Sequence, residues 1–221
     1  MLLPTIEPSD SDLSSQSTMT RLENCVDSKT LYKIGKLFLD EYMSSFEKAP
    51  KKVIIDADDT NANTYGAQQL TLFNAYYNEY CYMPMLLFDG LTGKLMLPLL
   101  RPGRRNNSAE TIYRRYCGRG EMELWIKDLK YFKADRLSCN SYRANYFRLF
   151  LYGAAFVLAH RMKHTVFKGT EVERFNMDSI IRRIMLSAAH IVEKKTYIKI
   201  SFSPHHRHRE ELEAALTRMA A

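Results

Sequence analysis

Three aspartates stand within four residues, Asp56-Ala57-Asp58-Asp59. If this segment is extended, Asp56 and Asp58 leave one face of the strand and Asp59 leaves the other. Carboxylates at the end of a strand are the ligand type that Mg²⁺ takes, usually one or two of them together with water and substrate phosphate. A two-metal site holds its ions about 3.5–4 Å apart around the attacked phosphorus. The same residues also serve to solvate a turn at a strand end, and DADDT alone does not separate the two readings.

A second constellation is Tyr116-x2-Arg119-x3-Glu123-x6-Lys130. At about 100° per residue, Tyr116, Arg119, Glu123, Lys127 and Lys130 fall on one stripe of a helix. Met122, Trp125, Leu129 and Phe132 fall on the opposite side, so a core-facing surface separates from a polar working surface. One acid among cations suits a site in which the acid holds a metal while Arg and Lys grip the flanking phosphates. An Arg119/Glu123 pair at i,i+4 is also an ordinary solvated ion pair, and Gly118 and Gly120 weaken the start of such a helix.

Other residues carry a weaker signal. His205-His206-x-His208 offers imidazole ligands, but the interleaved Arg207 and Arg209 after Pro204 favour a basic tail. Phe73, Tyr76, Tyr77, Tyr80 and Tyr82 could stack on bases; the reading preferred is that they pack a core beside a strand. Arg143, Arg148, Arg161 and Lys163 are candidates for phosphate contact. Cys25, Cys81, Cys117 and Cys139 have no ligand-like spacing, so neither a disulfide framework nor a zinc site built on them is expected.

The elements that must position these groups can be read from periodicity. Residues 8–18 are polar and read as a mobile start. Leu31, Ile34, Leu37, Phe38 and Tyr42 recur at helical spacing from Ser28, a candidate N-cap, to about Phe46, ahead of Ala49-Pro50. Val53-Ile54-Ile55 leads into the aspartates as a buried strand. Tyr80–Phe88 and Leu95–Leu100 read as two further strands joined by Asp89-Gly90-Leu91-Thr92-Gly93, a glycine-bearing turn of hairpin length. Residues 101–112 read as a loop. From Glu121 to Glu193 the pattern is helical, broken at Ala134-Asp135 and near Lys168-Gly169-Thr170. The last helix is marked by Met177, Ile180, Ile181, Ile184, Ala188 and Ile191. Ile198, Ile200 and Phe202 alternate as a short closing strand before Pro204.

The chain has 221 residues, is 46% hydrophobic and carries a net charge of +7, enough for one sizeable core. Its charge is unevenly placed. Residues 101–168 hold 15 Lys and Arg against 5 Asp and Glu, which makes a polyanion the expected partner class. A solvated basic helix face is the bland alternative. No apolar run approaches the roughly 18 residues of a membrane span and no leader pattern opens the chain, so the expected compartment is the cytoplasm and no membrane partner is expected.

Four stretches carry a family resemblance: Thr18 to Asn24, Asp56 to Gln69, Phe73 to Gly103, and Tyr116 to Leu149. They resemble the group-1 transposase DDE domain of bacterial insertion sequences, whose hallmark around the third acidic ligand is the Tyr-Arg-Glu-Lys spacing. The resemblance implies a ribonuclease-H-like fold and metal-dependent cleavage and strand transfer at transposon ends. By position Asp58 matches the first catalytic acid, with Asp56 beside it as the second candidate for that place and for the metal, and Glu123 matches the third. Tyr116, Arg119 and Lys130 match the family's supporting residues that position DNA near the ends, Lys127, Arg143 and Arg148 join them as DNA contacts on their charge and helical placement, and Mg²⁺ or Mn²⁺ is the expected cofactor.

The chain departs from that family where the second acid should be. A long segment normally separates the Leu-Arg-Pro-Gly stretch from the Tyr-Arg-Glu-Lys helix, whereas here Arg104 to Arg115 alone intervene. Asp89 and Glu110 are no convincing replacements. The expected architecture is therefore α/β, a partial ribonuclease-H-like fold with a short sheet of about three strands followed by a helical C-terminal half. Its parts are a polar segment and helix (1–50), the first core strands (51–104), the helical remainder (105–203) and a basic tail (204–221). The expected function is an impaired transposase, nucleoid-associated, acting on transposon ends as a homodimer or beside a full-length transposase. The alternatives are a non-catalytic DNA-binding protein or inhibitor, and a decayed product without a stable fold.

Overall fold

Residues 15–103, 120–194 and 197–220 are described by a computed structural model. Two compact units result, one built from Gln16–Leu158 and the other containing Ala159–Ala221. The stretch Gln16–Asn24 forms a helix, α1, although residues up to 18 read as a mobile start and the first element was expected only from Ser28. Helix α2 spans Ser28–Ser44. Asp27, rather than Ser28, caps it: the Asp27 carboxylate accepts the Thr30 N–H at 2.7 Å, satisfying one of the amides that the first turn leaves open. Leu31, Phe38 and Tyr42 are buried on one stripe of α2, while Leu37 is 63% exposed.

Six strands follow: β1 (Ile55–Asp59), β2 (Ala62–Asn63), β3 (Leu72–Asn74), β4 (Glu79–Tyr82), β5 (Met85–Asp89) and β6 (Leu95–Leu99). β1, β5 and β6 make an antiparallel sheet in the order β1-β5-β6, the short three-stranded sheet expected. β2, β4 and β3 make a second small antiparallel sheet that the periodicity did not reveal. The apolar run Tyr80–Phe88 therefore divides between two sheets, with Met83-Pro84 between them; proline has no N–H to give a ladder. β1 begins at Ile55, later than the β-branched run Val53-Ile54-Ile55, so the aspartates lie within the strand and not past its end.

Asp89 organises the β5–β6 turn. Its carboxylate accepts from the Leu91 N–H at 3.0 Å, the Thr92 hydroxyl at 2.7 Å and the Tyr42 hydroxyl at 3.1 Å. Burial and the carboxylate push the Tyr42 phenol up to about 12, because ionising it would place two anions together. Helices α3 (Gly120–Tyr131) and α4 (Tyr142–Thr165) come next. On α3, Met122, Ile126 and Leu129 are buried. The Trp125 ring sits 5.7 Å from that of Phe88 on β5, and Phe156 of α4 meets Phe88 edge-on at 5.8 Å. Gly93 makes the α3 contact possible, since it sits at φ +67° and a Cβ there would lie 2.9 Å from Trp125 Nε1.

The second unit differs more from expectation. A 3-10 turn (Glu171–Arg174) precedes helix α5 (Met177–Ile180), capped by Asn176 and continued by a π-helical turn through Met185. The apolar stripe extending to Ile191 is thus interrupted, and Ala189–Lys194 forms strand β7, paired antiparallel with β8 (Tyr197–Phe202). The expected closing strand is present, with a hairpin partner that had been read as helix. The segment read as a basic tail forms helix α6 (Arg209–Ala220). Its Arg218 donates to the carbonyls of Val166 and Lys168 at 2.8 and 2.6 Å.

Candidate functional site

Asp56 and Asp58 stand opposite Phe88 and Leu86 in the β1–β5 register. Directly paired residues of an antiparallel ladder project to the same face, and Phe88 and Leu86 are fully buried. The two carboxylates therefore flank the covered face of the sheet, the face on which α3 rests through Trp125. Both are half-buried. Asp58 Oδ1 accepts the Asp59 N–H at 2.8 Å. Asp56 crowds Gly90, where a Cβ would come within 2.6 Å of Asp56 Oδ2; this glycine lets the turn pass beside a carboxylate.

Asp59 leaves the opposite face and pairs with the Arg101 guanidinium. Arg101 also donates from Nε to the Met83 carbonyl at 3.2 Å. Residues 101–112 read as a loop, and nothing in the spacing of Asp59 and Arg101 announces this pair.

Glu123 lies on α3 two residues before Trp125 and is exposed, as is Lys127. Lys130, also on α3, is half-buried, and burial pushes its ammonium down against the opposing pull of Asp135. The expected separation of a core side from a polar side holds for Met122 and Leu129 against Glu123 and Lys127, while Lys130, placed on the polar stripe, is half-buried. Arg143 is exposed near the start of α4. Tyr116 and Arg119 lie outside the described residues.

Arg148 has a different setting. Its Nε and Nη2 donate to Glu23 Oε1 at 3.0 and 2.8 Å, and Nη2 also reaches Oε2 at 2.8 Å. Nη1 donates to the Ser138 hydroxyl at 2.6 Å. The fork joins α4 to α1, and the Glu23 carboxylate takes a further contact from the Cys139 thiol at 3.4 Å. Burial pushes that thiol up to about 11. Nothing in the spacing of Glu23 or Arg148 announces this pair.

Of the aromatic cluster, Tyr82 is fully buried, but Phe73, Tyr76 and Tyr80 are 50%, 73% and 59% exposed. The core packing expected for them holds for Tyr82 and fails for these three. Phe73 and Tyr80 face each other across β3 and β4 at 5.5 Å, on the open side of the small sheet. Cys81 is buried, Cys139 is half-buried and Cys25 is exposed, all as free thiols.

Among the described residues, no three His, Cys, Asp or Glu side chains that include Asp56, Asp58 or Glu123 come close enough together to hold one ion; the one such group, Glu171, His208 and Glu211, lies in the other unit. Asp89 is buried with its carboxylate committed to the turn, so it does not stand in for a missing acid. No helix of the described residues is long and apolar enough to cross a membrane.

Comparison with known proteins returns a family model described as Transposase DDE domain group 1, which matches residues 3–111 and residues 105–221. No curated protein and no solved structure matches.

Proposed function

The chain belongs to the transposase DDE domain, group 1, family, and on that premise we propose that it is an impaired transposase retaining the first and third acids, Asp58 and Glu123, without the second. The α/β architecture agrees with a partial ribonuclease-H-like core. One observation carries the assignment: the family model matches the chain on both sides of the short junction, over residues 3–111 and 105–221. Asp56 and Asp58 lie on the sheet face to which Trp125 anchors α3, whereas Glu123 is on the other, exposed side of that helix.

Mg²⁺ or Mn²⁺ would find suitable donors in Asp58, Asp56 and Glu123, since these are hard oxygen ligands. The set is nevertheless incomplete. The three do not gather into a ligand group, and the two family matches meet at 105–111, where the segment with the second acid would be expected. The residues present do not build a full two-metal site. Because the reaction depends on holding the attacking oxygen and the phosphorus in line to within a fraction of an ångström, strand transfer should be slight.

DNA is the substrate class that the family implies. Lys127 and Arg143 are exposed cations in the segment of highest positive charge, with Lys130 beside them and Tyr116 and Arg119 in the same stretch of sequence. Arg148 contributes to that segment's charge while its fork is held by Glu23. A second reading, a non-catalytic DNA-binding protein that shares ends or subunit contacts with a full-length transposase, draws on the same basic segment.

The test is cleavage of transposon-end DNA in Mg²⁺ or Mn²⁺, with binding followed by anisotropy across a salt series. Binding whose logarithm falls linearly with the logarithm of salt, without appreciable cleavage, is expected. Efficient cleavage that disappears in Glu123→Gln would overturn the impairment. Equal affinity for random and end-containing DNA would count against the inhibitor reading.

A further inference from the structure

His208 precedes the first turn of α6 and is 2% exposed, yet neither of its ring nitrogens has a hydrogen-bond partner. A buried imidazole with both nitrogens unmatched carries an uncompensated desolvation cost. What faces it is anionic. One carboxylate oxygen each from Glu171, at the start of the 3-10 turn, and Glu211, in the first turn of α6, lies with a His208 ring nitrogen so that all three are within 4.8 Å of one another. The sequence drew attention to this histidine and read it as part of an exposed basic tail. Its neighbours do differ from it: His205 is exposed, and His206 accepts the His208 backbone N–H at Nδ1, 3.1 Å, which leaves Nε2 to donate to the Ser187 hydroxyl at 2.8 Å.

We propose that Glu171, His208 and Glu211 form a binding site for a divalent transition-metal ion, Zn²⁺ by preference, which ties the 3-10 turn to the start of α6. Two explanations for an imidazole between carboxylates compete, a shared proton and a shared cation, and the spacing distinguishes them. His208 Nδ1 is 3.8 Å from Glu211 Oε1, beyond hydrogen-bond reach. Two ligand atoms each about 2.1 Å from a tetrahedral zinc stand about 3.4 Å apart, so the His208–Glu211 pair needs only a few tenths of an ångström of closure, and Glu171, whose oxygen lies within 4.8 Å of both, has at most about 1.4 Å to close. Glu171 is the exposed member and can make that adjustment. One imidazole nitrogen and two carboxylates fit Zn²⁺ better than Mg²⁺, which favours oxygen donors and keeps its waters. Water would complete the coordination. This site lies apart from Asp58 and Glu123 in the chain and stands whether or not the protein cleaves DNA.

The experiment is a calorimetric Zn²⁺ titration of the full-length chain, first stripped with a chelator, paired with thermal melts. One ion per chain is expected, and Zn²⁺ at about 100 times Kd should raise Tm by roughly 5–10 °C. Glu171→Gln, at an exposed position where the fold should tolerate it, should weaken binding at least about tenfold and cancel most of the shift. Glu211→Gln should do the same, and His205→Ala should change neither. Absence of saturable binding, or affinity in Glu171→Gln and Glu211→Gln within about twofold of the unsubstituted chain, would overturn the site. So would binding that disappears in His205→Ala, which would place the ion on the exposed histidine.

Discussion

Arg148 and Glu23 are 125 positions apart and share three hydrogen bonds of 2.8–3.0 Å. An arginine in a basic segment reads as a phosphate contact because charge excess is visible in a sequence and its partner is not. Here the guanidinium is 18% exposed and the carboxylate 10%, so removing the acid would leave a largely desolvated cation with Ser138 as its remaining side-chain partner. Breaking a pair of this kind costs roughly 3 kcal/mol. Glu23→Ala should lower the stability measured by urea unfolding by about that amount at unchanged m-value, while Lys127→Ala, on the exposed side of α3, should stay within about 0.5 kcal/mol. A cost for Glu23→Ala below about 0.5 kcal/mol would mean that the fork is not structural, and that Arg148 is as available to phosphate as Lys127.

At the scale of elements, what is local was readable and what is paired at a distance was not. The hairpin turn at Asp89–Gly93 and the two-sided character of α3 follow from a few adjacent residues, and the structure contains both. The run Tyr80–Phe88 gave no sign of its division into β4 and β5, because apolar character is the same in either sheet and the partners, β3 on one side and β1 on the other, come from different parts of the chain. Helical spacing from Met177 carried into Ala189–Lys194 for a similar reason: the hairpin with Tyr197–Phe202 decides that segment. The site was legible to the extent that Asp56, Asp58 and Glu123 are short-range patterns; the Asp59–Arg101 pair and the burial of His208 were not. The seat of α3 offers a direct test. Gly93 holds φ +67° beneath Trp125, so Gly93→Ala meets both left-handed backbone strain and the indole edge. A loss of roughly 1–2 kcal/mol is expected from the backbone alone. Trp125 is the chain's one tryptophan, and its emission should move to the red as α3 lifts. An unshifted spectrum together with undiminished stability would show that α3 does not depend on this contact to stay on the sheet.

For the whole molecule the decisive feature is the outer edge of β1. In the order β1-β5-β6, β1 has a ladder partner on one side alone among the described residues, and Val53 and Ile55 beside that edge are 40% and 54% exposed. A strand whose N–H and C=O groups face outward is a template for another chain. Asp56, Asp58 and Asp59 then have a second physical consequence, since like charges set opposite one another destabilise a strand pair. They oppose association at the middle of β1, leaving its apolar beginning at Ile55 as the place where two copies can meet. Ile55→Lys adds a charge at an exposed position where little packing is lost. It should slow the growth of light scattering at elevated protein concentration severalfold and leave the thermal midpoint nearly unchanged. If scattering persists at the same rate, self-association proceeds through another surface and the open edge of β1 is guarded well enough by its aspartates. If the variant stays clear but melts without a cooperative transition, Ile55 supports the sheet itself, and the three strands depend on the residues just before Asp56 for their stability.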